Sequence, residues 1–141
     1  MASQHLRRGL AALLALTMGG NGVVMLAAGR WWYAAVPGVV STGPYNPHFV
    51  QDIGMAYVVV GLAFAAWAAR PSAMMRGAAG AAALFLVLHA CIHLAMAVTD
   101  PMGLADFFRD FPGVFLPALI AGWVVASASS RLEPSHAQSH P

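Results

Sequence analysis

Residues 77–98 read GAAGAAALFLVLHACIHLAMAV, a run with no Asp, Glu, Lys or Arg in which His89 and His93 are the only ionisable side chains besides Cys91. As a helix rising ~1.5 Å per residue, this stretch matches the ~30 Å hydrocarbon core of a bilayer. Three runs of the same kind surround it: Leu10 to Ala28, Phe49 to Ala69 and Phe111 to Ala128. Within the four, Asp52 is the only formally charged residue. A surface helix of a soluble protein carries a polar face; these runs are apolar all round, and so short a chain has no room for a soluble shell to cover them. The composition agrees, with 60% hydrophobic and 9% charged residues where a soluble domain carries about 25% charged. The fold class is therefore all-α: a polytopic membrane protein built as a four-transmembrane-helix antiparallel bundle. The expected helices are about 9–28, 47–69, 76–98 and 111–129, forming one domain over 1–128, with 129–141 as a polar, disordered tail.

The seven basic residues are all arginine, scattered singly or as one pair, which favours a topology signal over a nucleic-acid surface. Arg7, Arg8, Arg70, Arg76 and Arg131 fall on one side of the four spans and Arg30 and Arg109 on the other. The positive-inside rule then makes both termini cytoplasmic, with the loops around Trp31 to Pro47 and Thr99 to Asp110 outside. Trp31, Trp32 and Tyr33 fall where an interfacial aromatic belt is expected. Arg7 and Arg8 ahead of an apolar run closing on Leu26, Ala27 and Ala28 also fit a secretory signal with a small-residue cleavage site. The uncleaved helix is preferred because the run is long enough to span and gives an even helix count with a consistent charge bias.

Local signals refine the outline. Asn46 before Pro47 is an N-cap and first-turn pair, so the second helix starts there with His48 in its first turn. Asp100 before Pro101 repeats the signal ahead of Leu104, Phe107, Phe108 and Phe111, which recur at helical spacing opposite Asp106, Arg109 and Asp110. This pattern predicts a short amphipathic helix or an apolar-bottomed loop on the outer surface. Pro117 is expected to kink the fourth helix. Gly19, Gly20 and Gly22, and Gly77 with Gly80, are expected at close helix contacts. Cys91 stands alone, so there is no intrachain disulfide. His136 and His140 belong to the solvated tail.

Polar side chains concentrate in the outer half of the second and third helices. His48 and Asp52 are four apart on one, and His89 and His93 are four apart on the other, so each pair shares a face. A short turn joins these helices as antiparallel neighbours, and the depths of Asp52 and His93 match. Converging, His48, Asp52, His89 and His93 form a candidate transition-metal site. A haem with one axial histidine per helix is a second reading, although His89 and His93, on one face, cannot sandwich a single haem. A third is a quinone or proton site in which His89 or His93 and Asp52 exchange protons with the outer phase. The alternative without a ligand is that these groups bond one another, with Asn21 of the first helix reaching His89. No Ser, His and Asp arrangement for acyl transfer is present, and the single Glu is Glu133.

The Gly-rich first helix, the longer first outer loop and the helix start Asn46-Pro47-His48-Phe49-Val50-Gln51-Asp52-Ile53-Gly54 together resemble the DoxX-like family of small bacterial membrane proteins, over Leu6 to Ala128. The resemblance implies a four-helix fold and an association with oxidoreductase systems; it assigns no catalytic residue, and the four His and Asp positions lie outside any family signature. The expected function is a membrane-embedded accessory or redox module binding a metal, haem or quinone at its outer face. The alternatives are a structural or assembly subunit of a larger membrane complex or homo-oligomer, and a small transporter. Beyond the lipid bilayer and such a partner no further interaction is expected, and nucleic acid is not among the partners.

Overall fold

The computed structural model describes residues 2–99 and 103–129. Every regular element among them is helical: α1 (Ala2–Ala27), α2 (Gly29–Ala35), a 3-10 turn (Val39–Thr42), α3 (Pro47–Ala69), α4 (Ala73–Thr99), α5 (Gly103–Asp110), a π-helical turn (Phe111–Phe115) and α6 (Leu116–Ser129). Four helical stretches, Ser3–Ala27, Pro47–Ala69, Ala73–Thr99 and Gly103–Ala128, are long and apolar enough to cross a membrane. This is the architecture of a four-helix membrane bundle. The expected disordered tail, with His136 and His140, and the Asp100–Pro101 cap lie outside the described residues, Ser129 apart.

α1 packs most extensively on α3, α4 on α6, and α3 on α4, while α1 closes the ring against α6. The backbones of the diagonal pairs α1 with α4 and α3 with α6 stay more than 8 Å apart, α-carbon to α-carbon, among the described residues. The buried positions of α3, Val50, Gly54, Tyr57, Val60, Gly61, Phe64 and Trp67, recur about every three to four residues along a single stripe. Ala11, Leu14, Met18 and Met25 form the matching stripe on α1, so this helix supplies a quarter of the core's faces and is not an appendage. The side chains turned outward are as apolar as those within: Leu16, Val59, Leu62, Leu84, Ile92 and Leu119 are all exposed. Small residues dominate the interior, with Ala79, Ala82, Ala83, Ala90, Ala118 and Ala121 buried. Where lipid is the surrounding solvent, close backbone approach replaces the hydrophobic effect as the cause of packing.

The α1–α3 crossing is the closest. A β-carbon on Gly61 would lie 2.6 Å from the Gly19 α-carbon, and one on Gly22 would lie 2.5 Å from the Gly54 carbonyl oxygen. Gly19 and Gly22 are thus contact residues as expected, while Gly20 and Gly77 have nothing within 4 Å and face open space. Gly80 makes only an ordinary contact with Val125.

Boundaries differ from expectation at three places. α1 begins near Ala2, so Arg7 and Arg8 lie inside the helix. The segment around Trp31 to Tyr33 coils into the short α2. The predicted surface helix before Phe111 is continuous with the fourth span through a π turn, in which the Leu116 N–H bonds the Phe111 carbonyl. The wider turn stands immediately before Pro117, which lacks an N–H and would crowd a carbonyl of the preceding turn. α3, by contrast, starts where the sequence places it: the Asn46 side chain accepts from the Phe49 N–H at 3.2 Å, with Pro47 in the first turn.

Candidate functional site

Two ends of the bundle are chemically distinct. At one, Arg7, Arg8 and Arg76 donate to main-chain carbonyls where α3 and α6 finish. At the other, histidines, aspartates and one arginine gather around the last turns of α4.

α4 presents Phe85, His89 and His93 along one face at spacings of four. The His89 ring stacks parallel on Phe85, with centroids 6.1 Å apart, and meets the Tyr57 ring of α3 edge-on at the same separation. One turn on, the His93 ring lies 4.7 Å from that of His89. His93 Nδ1–H donates to Asp110 Oδ2 at 2.7 Å. Asp110 also accepts from Arg109, Nε to Oδ1 at 2.7 Å and Nη2 to Oδ2 at 3.1 Å, while Arg109 Nη1 donates to Asp106. The chain of contacts therefore runs from Asp106 and Arg109 at the surface, through Asp110, His93 and His89, to the buried Tyr57.

The first loop covers this network. Gly38, with φ at +84°, lies so near Arg109 that a β-carbon there would sit 2.6 Å from the guanidinium carbon. In the same loop Tyr33 bonds the Gly43 carbonyl, its ring meets Tyr45 edge-on, and Arg30 lies over the Tyr45 ring. His93 and Asp110 keep 27% and 13% of their side-chain surface exposed. The pair is therefore mostly desolvated, which strengthens the bond, yet still reachable.

The expected four-residue metal set is not assembled. His48 and Asp52 form their own pair at 3.6 Å on the outward face of α3, with 85% and 62% of their side chains exposed. His93 turns instead to Asp110 at the end of α5, while His89 lies against Tyr57 of α3 and Phe85 of its own helix. Among the described residues no group of three or more His, Cys, Asp or Glu side chains is disposed to hold a metal ion. As for a haem, no histidine of a second helix faces His89 and His93 among the described residues: His48 points outward, and the His89 ring stacks on Phe85. Asn21 does not reach His89: its Oδ1 accepts from Trp32 Nε1 at 2.8 Å and its amide lies 3.6 Å from Met25 Sδ.

Asp110 and Arg109 are the functional candidates that sequence reasoning missed. The helical spacing of Leu104 and Phe108 against Asp106 and Arg109–Asp110 was legible, but its sense is reversed. Asp110 turns in toward His93 while Asp106 and Arg109 stay nearer the surface, and Leu104 and Phe108 are left 73% and 66% exposed. The signal that pointed this way is the unpaired His93, since a carboxylate on a segment following α4 so closely folds back over it. No family model, no curated protein and no solved structure matches the chain.

Proposed function

We propose that this chain is a membrane-embedded accessory module with a proton-exchanging site for a small apolar ligand bearing carbonyl oxygens, of the quinone class. The His93–Asp110 bond carries this reading. By holding the Nδ1 proton, Asp110 leaves Nε2 as the position that accepts a proton from a quinol hydroxyl and, once protonated, donates to a quinone carbonyl. His89 stands next in line, and its packing on Phe85 and Tyr57 gives the imidazoles the apolar, aromatic surroundings that suit such a ligand. The oxidoreductase association implied by the DoxX-like layout is compatible with this chemistry. The arginine distribution supports an orientation with both termini cytoplasmic and the histidine end outside, and the DoxX-like layout favours a bacterial inner membrane.

Titration of the purified protein with a short-chain quinone, followed by quenching of tryptophan fluorescence, tests the reading. Saturable binding is expected, with a loss of about tenfold or more in affinity in His93→Gln, consistent with removal of a charge-assisted contact. Glutamine keeps a donor for Asp110 while losing the titratable ring, and His48→Gln should bind as the wild type does. Equal binding by wild type and His93→Gln would refute the assignment.

A second reading, a subunit of a larger membrane complex, is favoured by the exposed His48–Asp52 pair. A carboxylate turned outward from a span is costly against lipid, and a polar partner surface would relieve that cost. Co-purification of a partner that is lost in Asp52→Leu, with quinone absent from the wild-type protein's binding profile, would select this reading over the first.

A further inference from the structure

A cleft of about 270 Å³ opens at the end of the bundle opposite the histidines, lined among others by Gln4, Arg7, Arg8, Trp67, Ser72 and Arg76. Its three guanidinium groups come from α1 and α4. Arg7, only 8% exposed, donates to the Ser127 carbonyl at 2.6 Å. Arg8 donates through Nε to the Ala68 carbonyl at 2.8 Å, and Arg76 through Nη1 to the Ala128 carbonyl at 3.5 Å. These acceptors are uncharged main-chain oxygens at the C-termini of α3 and α6, whose dipoles present roughly half a negative charge each. Three guanidinium charges therefore exceed what the two helix ends offset by roughly two. No carboxylate makes up the difference among the described residues: Asp52, Asp106 and Asp110 belong to the other half of the molecule, and every ion pair there is formed with His48, His93 or Arg109.

The remaining walls favour the same kind of ligand. Ser72 caps α4, its Oγ accepting from the Met75 N–H at 3.2 Å, so the positive end of that helix also faces the cleft. Each guanidinium has five N–H donors and spends one or two on the carbonyls, leaving donors in a fork that matches the oxygens of a phosphate group. The buried Trp67 lines the cleft, and Leu6 and Met74, next in sequence to its lining residues Arg7 and Ala73, are 55% and 74% exposed. A headgroup carrying acyl chains has use for such apolar surface and a free anion has none.

We propose that Arg7, Arg8 and Arg76 form a binding site for a phosphate group, presented as the headgroup of an anionic phospholipid at the arginine-bearing surface of the membrane. The proposal is independent of the quinone reading, since it uses none of the residues of the histidine end. Helix capping alone also accounts for the carbonyl bonds, and the two differ in lipid dependence.

The test is thermal unfolding of the full chain, delipidated in a neutral detergent, with added phosphatidylglycerol, phosphatidylcholine or inorganic phosphate, alongside native mass spectrometry of retained lipid. Phosphatidylglycerol is expected to raise the melting temperature and to be retained, with phosphatidylcholine doing neither. Arg76→Gln should lower the apparent affinity for phosphatidylglycerol about tenfold, as loss of a charge-assisted contact does. Arg76 makes the longest of the carbonyl bonds, so this variant is the one best placed to keep its fold, and Arg76→Lys should recover part of the effect. Arg30→Gln, at the other end, should leave it intact. Equal protection by phosphatidylcholine, or full protection of Arg76→Gln by phosphatidylglycerol, would overturn the site. Equal protection by inorganic phosphate would overturn the lipid as its source and assign the cleft to a soluble phosphate.

Discussion

Asp110 accepts from two donors of different kinds, and that shared acceptance fixes the state of His93. With Nδ1–H bound to Oδ2, the neutral His93 ring is held in the tautomer whose Nε2 is unprotonated. In ¹⁵N-histidine spectra His93 should therefore appear as the Nδ1–H form, and in Asp110→Asn it should shift toward the Nε2–H form preferred by an unconstrained histidine side chain; an unchanged tautomer would show that Asp110 does not set it. Gly38 acts on the same network from the loop. Its left-handed backbone costs other residues roughly 1–2 kcal/mol, and any side chain there meets the Arg109 guanidinium. Gly38→Ala should lower stability by about that amount and, by displacing Arg109 from Asp110, weaken ligand binding at His93. Loss of stability with undiminished binding would separate the loop from the site.

At the scale of the helix, small residues decide which surfaces meet. The Gly19–Gly61 and Gly22–Gly54 contacts bring the α1 and α3 backbones together with no space for a methyl group on Gly61 or Gly22. Gly61→Ala and Gly22→Ala should destabilise the bundle by about 1–3 kcal/mol through overpacking. Gly20→Ala and Gly77→Ala face open space and should be neutral, or stabilising by up to about 1 kcal/mol from helix propensity. Unfolding in mixed micelles measures both sets, and equal effects across the four would discard the crossing as described. The first half of this pattern was legible in Gly19 and Gly22; Gly54 and Gly61, seven positions apart on α3, carry the same signal. Gly20 and Gly77 show why glycine alone does not mark a contact: on a helix apolar on every side, the residue type is visible but its bearing is not.

Across the whole molecule, the two ends hold different charge chemistry. Among the described residues, Asp52, Asp106 and Asp110 gather with His48, His89 and His93 at one, and Arg7, Arg8 and Arg76, anchored on helix C-termini, at the other. The alternation of the four spans puts Arg7, Ala68, Arg76 and Ser127 together, although their sequence separation is large. With Cys91 replaced by Ser, single cysteines at His5 and Pro71 should react with a membrane-impermeant thiol reagent from the same side, and one at Ser41 from the other. The positive-inside reading further assigns the first side to the cytoplasm. Labelling of all three from one side would be incompatible with four spans.

The sequence by itself determined the four spans, their even number and the start of α3, because length and apolarity set what crosses a bilayer and Asn46–Pro47 sets a helix end by local bonding. Only the tertiary structure decided which face of each helix turns inward. Lipid is as apolar as the core, so no periodicity in hydrophobicity separates inside from outside. The same reason hid the partner of His93. Matching depth and a shared helix face made Asp52 a plausible neighbour, but the π turn before Pro117 joins α5 to α6 and carries Asp110 over α4, while Asp52 points away. Which carboxylate meets which imidazole is set by helix rotation and backbone continuity, and those are properties of packing that spacing along one chain does not contain.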